Sequence, residues 1–361
     1  MKKHLVAVAV ASAFTLPAMA QNVTISGLLE TGFVDLKHTG DAATKTANDL
    51  SNVAGGIFGS SRLVIGGSED LGGGLKAGFR LESSLDASSG RAGAGTLGTQ
   101  AGSNAGQFFN RGAEVNLSGA FGMVRLGTFD HRGGEDTDIN VVGNIGLATG
   151  NPNGNTAPTG VEMGSDRKGT IAYRTPNLGF ATIEIAHSQK TGQKGAADTA
   201  AVGTVDGAVT SVYAEGTIAG LNYRLGYAKQ DIVTATAAAN DTASRYGIGA
   251  SYNFGMMSAS LHYAKATLLT QVENKEATLT VNIPLGNGLD LRGVYQNFDT
   301  SDAAAATVGV ADRKTTTFAL AKALSKRTNV YAAYTDNARS STNAAGATDS
   351  TRVYLGVGHS F

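Results

Sequence analysis

In the stretch SRLVIGGSEDLGGGLKAGFRLESS, residues 61–84, apolar side chains recur at every second position. Leu63 and Ile65 share one face, with Arg62, Val64 and Gly66 on the other. After Gly72, Gly73 and Gly74 the alternation resumes: Leu75, Ala77, Phe79 and Leu81 against Lys76, Gly78, Arg80 and Glu82. A period of two predicts strands, not helices. Between the strands, Glu69 to Gly74 reads as a tight turn, where glycine takes positive φ without steric cost. The unit recurs. AEVNLSGAFGMVRLGTF turns at Gly119 to Gly122, and GTIAYRTPNLGFATIEIAHS at Thr175 to Gly179. Further turns fall near Ala219–Gly220, Asn253–Gly255, Pro284–Gly288 and Ser325–Arg327.

Between these seven short turns lie eight longer segments, near residues 37–60, 84–109, 130–165, 189–208, 231–243, 267–272, 300–313 and 337–349. Most are rich in Ala, Gly, Thr, Asn and Asp and lack a sustained period. Turns and loops together separate sixteen strands, from Val23–Leu36 to Thr351–Phe361. An even strand number, with short turns on one side and long loops on the other, predicts an all-β, antiparallel transmembrane barrel. Closure removes the open edges that hydrocarbon would penalise. A soluble protein of two β-sandwiches would also alternate. Its strands would run nearer five or six residues, and the loop asymmetry would have no cause.

Composition fits this reading. Gly is 49 of 361 residues, Pro is 5 and Cys is 0, which suits many strands meeting at many turns and excludes disulfides and thiolate chemistry. The first twenty residues, MKKHLVAVAVASAFTLPAMA, have a basic start, an apolar middle and an Ala18-Met19-Ala20 end. They read as a secretory signal peptide cut after Ala20, leaving residues 21–361 as the barrel domain. Removing Lys2 and Lys3 takes the formal charge from 0 to −2, which gives no footprint for nucleic acid. Tyr246, Tyr252, Tyr263, Tyr295 and Tyr334 lie near strand ends or in outward parity and are candidates for interfacial girdles.

The sequence resembles the Gram-negative general porins. SRLVIGGSEDLGGGLKAGFRLES is similar to that family's hallmark hairpin, and NRGAEVNLSGAFGMVRLGTFD to the hairpin after it. VTISGLLETGF resembles the first strand and GVGHSF the last. The resemblance implies a sixteen-stranded homotrimer in outer-membrane lipid, with the third long loop folded into the lumen. The terminal aromatic strand ending in Phe361 resembles the signal read by the outer-membrane barrel-insertion machinery. Where the family often has Leu-Gly-Arg, this chain has Leu126-Gly127-Thr128. In this context Gly72 to Gly74 is a periplasmic turn. A phosphate loop would need a following helix, and the literal G-x-G-x-x-G at Gly93–Gly98 lacks both strand and helix.

Parity places Arg62, Lys76, Arg80, Arg125, Lys168, Arg174 and Arg292 toward the lumen. Arg111 shares parity with outward Ala113 and sits at a strand rim. The acids cluster in the third long loop: Glu135, Asp136 and Asp138, with Glu162 and Asp166 near its end. Folded inward, that loop sets acids against the basic wall Arg62, Lys76, Arg80, Arg111, Arg125 and Arg174. The transverse field sieves by size and biases ion choice. Each charge also admits a plainer reading, as lumen solvation. The basic wall favours a weak anion preference, while the acidic loop and the net charge argue the other way.

No cofactor, metal site or catalytic constellation is legible. His131, His187 and His262 are scattered without ligand spacing, and His359 sits in the terminal strand. The expected function is passive diffusion of ions and small hydrophilic solutes, with no enzymatic step. A substrate-selective porin, a surface enzyme and an adhesin are the alternatives.

Overall fold

The computed structural model describes residues 22–39, 49–55, 59–92, 108–129, 132, 169–188, 208–232, 241–267, 273–300, 312–339 and 349–361. The expected signal peptide, Lys168, and the acids Glu135, Asp136, Asp138, Glu162 and Asp166 lie outside the described residues.

Strands carry the architecture, in the order β1 (Asn22–His38), β2 (Leu50–Ala54), β3 (Arg62–Gly72), β4 (Leu75–Asp86), β5 (Arg91–Ala92), β6 (Gly112–Gly119), β7 (Gly122–Thr128), β8 (Thr170–Arg174) and β9 (Thr182–Ser188). The second half comprises β10 (Val209–Ile218), β11 (Leu221–Ile232), β12 (Asp241–Asn253), β13 (Ser258–Thr267), β14 (Glu273–Gly286), β15 (Leu289–Thr300), β16 (Arg313–Ala323), β17 (Thr328–Arg339) and β18 (Ser350–Ser360). Neighbours pair antiparallel, and β1 pairs with β18 from Leu28↔Ser360 to His38↔Ser350, so the sheet closes on itself. The result is a sixteen-stave barrel. β2 and β3 both pair with β1 and form one interrupted stave. β5 pairs with the end of β4.

The first long connection is therefore shorter than the alternation suggests. Residues 50–54 are strand, not loop, and the irregularity falls inside the stave. There the Ser61 hydroxyl accepts from the Glu30 N–H at 2.9 Å and donates to the Glu30 carbonyl at 3.1 Å. One side chain stands in for the missing ladder step at a buried position. Ser61→Ala removes both bonds. The expected cost is about 1–3 kcal/mol, read as a lower urea midpoint for the refolded barrel.

Alternation sorts the residues as predicted. Val23, Ile25, Phe33, Val115, Leu126, Ile171, Ile185, Leu261, Phe318 and Leu355 are exposed outward. Most inward positions are polar or small. Thr317 and Thr335 share a hydrogen bond at 2.9 Å, and Thr315 donates to Asn337 at 3.0 Å. A lumen-side apolar cluster of Val34, Leu36, Ala54, Val294, Ala319, Ala333 and Tyr354 lies across the β1–β18 seam. At the turn ends, Gly72, Gly73 and Gly74 have φ of 82°, 61° and 80°, and the Gly72 N–H donates to Asp70 at 2.9 Å. The glycine run is a hairpin turn.

At the other end, Phe129 leaves β7 and packs against Ala172 of β8 and Ala186 of β9, both on lumen-side positions. Arg132 then reaches Glu215 of β10 at 3.2 Å. From β7 to β10 is three inter-strand spacings, roughly 14 Å. The root of the third long connection thus crosses the inner wall.

Candidate functional site

The inner wall of β3 to β11 carries one belt of alternating charge. Cross-strand register builds it, because residues directly opposite each other project to the same face. Arg80 stands opposite Glu114, Arg174 opposite Glu184, and Arg224 opposite Glu215. Three nodes organise these side chains.

In the first, Glu82 collects three guanidinium groups: Arg80 at 2.5 Å, Arg111 at 2.7 Å and Arg62 at 3.8 Å. Arg111 precedes β6, so ladder parity does not bind it. Its backbone N–H donates to the Glu82 carbonyl at 3.2 Å, which turns the side chain inward. In the second node, Arg125 is shared by two acids, Glu114 at 2.6 Å and Glu184 at 3.2 Å. Its guanidinium also lies 4.1 Å from the Phe129 ring centroid. In the third, Glu215 collects Arg132 at 3.2 Å, Arg224 at 3.7 Å and Arg174. The Tyr213 hydroxyl donates to Glu215 at 2.9 Å, and Arg132 stacks 4.4 Å from the Tyr213 ring centroid.

Each node fixes arginines that would otherwise sample many rotamers. Carboxylate–guanidinium bonds hold the planar fork in place and leave its unbonded N–H groups for solutes. Seven arginines meet four glutamates, an excess of three positive charges among the described residues. The outer nodes each carry a surplus of two, and the Arg125 node a deficit of one. The first node is the more open, with Arg80 49% exposed against 16% for Arg125. Three further lumen-side arginines, Arg245, Arg313 and Arg352, are buried among β12 to β18.

Of the wall residues expected from sequence, Arg62, Arg80, Arg111, Arg125 and Arg174 come together here. Lys76 does not. It faces the lumen opposite Asp70 and Ser118, one residue past the β3–β4 turn. Four residues separate it from Arg80, roughly 13 Å along the strand. Arg292 faces the lumen beside Asp290 at 3.4 Å, away from the belt. Glu82, Glu114, Glu184, Glu215, Arg132 and Arg224 belong to the belt and were not singled out by sequence. For the acids the signal was available, since they share lumen parity with their arginines. Among the described residues no group of three or more His, Asp or Glu side chains is placed to hold a metal ion.

A closed barrel with a charged inner wall and an apolar outer face is the architecture of an outer-membrane pore. The family profile described as Gram-negative porin matches residues 7–342. The chain belongs to the Gram-negative porins. The Delftia acidovorans outer membrane porin protein 32 is 31% identical over 265 residues, covering 72% of this chain and 68% of the relative. An outer membrane porin protein of Bordetella pertussis is 29% identical over 296 residues, covering 74% and 70%. Among solved structures, the anion-selective porin from Comamonas acidovorans superposes with a TM-score of 0.70 at 24% identity, over 94% of this porin and 100% of that chain. Salmonella typhi OmpF gives 0.65 at 16% identity, over 94% and 97%. The porin is an outer-membrane diffusion channel for ions and small hydrophilic solutes.

Proposed function

We propose that this porin is a homotrimeric, weakly anion-preferring general channel that lets solutes run down their gradients without a chemical step or cofactor. The belt carries the proposal. Seven arginines against four glutamates give the inner wall a positive surplus, and a positive wall raises the local concentration of anions. Similarity to a porin described as anion-selective supports the same sign. The inward root at Phe129 and Arg132 supports a third loop that narrows the lumen, with Glu135, Asp136 and Asp138 as the opposing acids.

The outer face supports a protein partner on one side. Of eleven tyrosines, Tyr213, Tyr331 and Tyr354 take lumen-side positions. The other eight, including the girdle candidates Tyr246, Tyr252, Tyr263, Tyr295 and Tyr334, face outward on β8 to β17. Among the described residues β18, β1, β2, β3, β4, β6 and β7 present no outward tyrosine. Tyrosine marks the lipid–water interface, so an apolar sector without it suits a second copy of the chain. The leader cut after Ala20 supplies export. Terminal Phe361 pairs with Gly27 through two backbone bonds of 3.0 and 3.1 Å, completing the seam that the insertion machinery would close.

The test is single-channel recording of the refolded porin in a planar bilayer under a KCl gradient. Conductance steps in threes and a chloride-favouring reversal potential are expected. A potassium-favouring potential would assign selectivity to Glu135, Asp136 and Asp138. The absence of current from an inserted barrel would end the channel reading.

A further inference from the structure

We propose that the inner wall from β9 to β11, at the end that carries the short turns, holds a binding site for an uncharged, hydroxyl-bearing solute of monosaccharide size. The site rests on the general-channel reading and gives that channel a halting place for one class of cargo. A cavity of about 380 Å³ lies there, inside the roughly 300–1,000 Å³ of small-molecule sites. A mismatch of lengths makes it. The β9–β10 ladder ends at Thr182↔Glu215, while β10 runs on to Ile218. The connection from β8 to β9 takes seven residues, 175–181, where the other six turns take two to four. Its own bonds hold it. The Thr175 N–H donates to the Ile183 carbonyl at 2.8 Å, the Ile183 N–H to the Thr175 hydroxyl at 3.0 Å, and the Leu178 N–H to the Ala181 carbonyl at 2.9 Å. On the outer side the Tyr223 hydroxyl donates to the Phe180 carbonyl at 2.5 Å. Glycine at 216 permits that closure, because a Cβ there would fall 2.2 Å from the Phe180 carbonyl oxygen.

The lining suits hydroxyl groups better than ions. Thr182, Glu215, Thr217, Asn222 and Arg224 line the cavity from lumen-side positions, and Asn177 lines it from the connection. Glu215 and Arg224 stand directly opposite each other, 3.7 Å apart, so one acid and one base leave the lining without net charge. Arg132 and Arg174, which give that node its positive surplus, do not line the cavity. The two amides are set as donors. The Asn177 side-chain oxygen accepts the Gly179 N–H at 2.8 Å, and the Asn222 side-chain oxygen accepts the Thr217 hydroxyl at 2.7 Å. Each amide therefore presents its N–H₂ group. The hydroxyls of Thr182 and Thr217 add groups that can accept as well as donate. Vicinal sugar hydroxyls, which also do both, match this set. Phe180, Ala181 and Gly216 supply carbon surface for the C–H face of the ring.

Ligand-observed saturation-transfer NMR on the refolded full-length barrel in detergent micelles tests this, with glucose and gluconate as probes. Glucose is expected to give a saturable signal in the millimolar range. Gluconate, of similar size but charged, is expected to bind no tighter. T182A/N222A should weaken glucose binding about tenfold, the loss of two neutral hydrogen bonds, and N222A alone by part of that. S118A, on the lumen side of β6 at the same end, should bind like wild type. Unchanged heat-modifiable gel migration reports that each variant has folded. Equal glucose binding by T182A/N222A and wild type overturns the proposal, as does the lack of a saturable signal from a barrel that conducts. Tighter binding of gluconate than of glucose overturns it too and returns the cavity to the charged belt. Saturable glucose binding by a barrel that passes no current supports the site and ends the channel reading alone.

Discussion

Replacing Arg62, Arg80 and Arg111 together by glutamine is expected to lower the chloride-to-potassium permeability ratio several-fold at 0.1 M KCl. The three arginines converge on Glu82, so their loss turns that node from a surplus of two positive charges to a lone carboxylate. The belt as a whole falls from an excess of three to neutrality. A unit charge 10 Å from an ion in water contributes about 0.4 kcal/mol, so three contribute about 1.2 kcal/mol before screening. Cation and anion shift in opposite directions, which doubles the effect on their ratio. With a Debye length of about 10 Å at 0.1 M and about 3 Å at 1 M, the shift should fade as salt rises. E82Q is the opposing control: it leaves the three arginines and removes their acid, so the reversal potential should move further toward chloride. An unchanged potential in both variants would take selectivity away from this node. A large shift that persists at 1 M KCl would point to a change of pore shape instead of charge.

The barrel was legible because most staves repeat one instruction, apolar outward and polar or small inward, as Leu63, Phe79, Val115 and Leu126 do on their outward faces; the lumen-side cluster of Val34, Leu36, Val294 and Tyr354 departs from it. The arginines were legible for the same reason, since a guanidinium on lumen parity has only water to face. The acids of the belt were passed over. Glu82, Glu114, Glu184 and Glu215 share that parity, yet the third loop offers a denser acidic run. What sequence could not supply was register. Arg80 meets Glu114 because β4 and β6 pair at that offset, and no local pattern encodes an offset between strands separated by a long connection. Lys76 shows the converse: correct parity, wrong height. The interrupted second stave was missed because residues 55–61, GGIFGSS, break the alternation. The Ser61 bridge to Glu30 is a tertiary contact with no local signature.

Arg132→Ala is expected to loosen the root of the third connection and raise both mean conductance and open-channel noise. Arg132 spans from the end of β7 to β10, where it bonds Glu215 at 3.2 Å and the Tyr213 hydroxyl at 3.4 Å. The Arg132 side chain is 18% exposed and that of Glu215 23%, so water screens the pair only in part. Hydrogen bonds to charged groups contribute about 1.5–3 kcal/mol, which corresponds to roughly ten- to a hundredfold in the released fraction of the root. Phe129 stays wedged on Ala172 and Ala186, so release should be frequent but not permanent, and the current should fluctuate instead of stepping once. Arg132→Lys separates the two contributions of this residue. It keeps the charge but loses the planar fork and the stack on Tyr213. Noise close to that of R132A with wild-type selectivity would make Arg132 a fastener whose geometry matters. Quiet current with wild-type conductance in R132A would mean that the root is held by Phe129 alone. Glu215→Gln closes the cycle: if Arg132 and Glu215 act through one contact, the double variant should be no noisier than R132A.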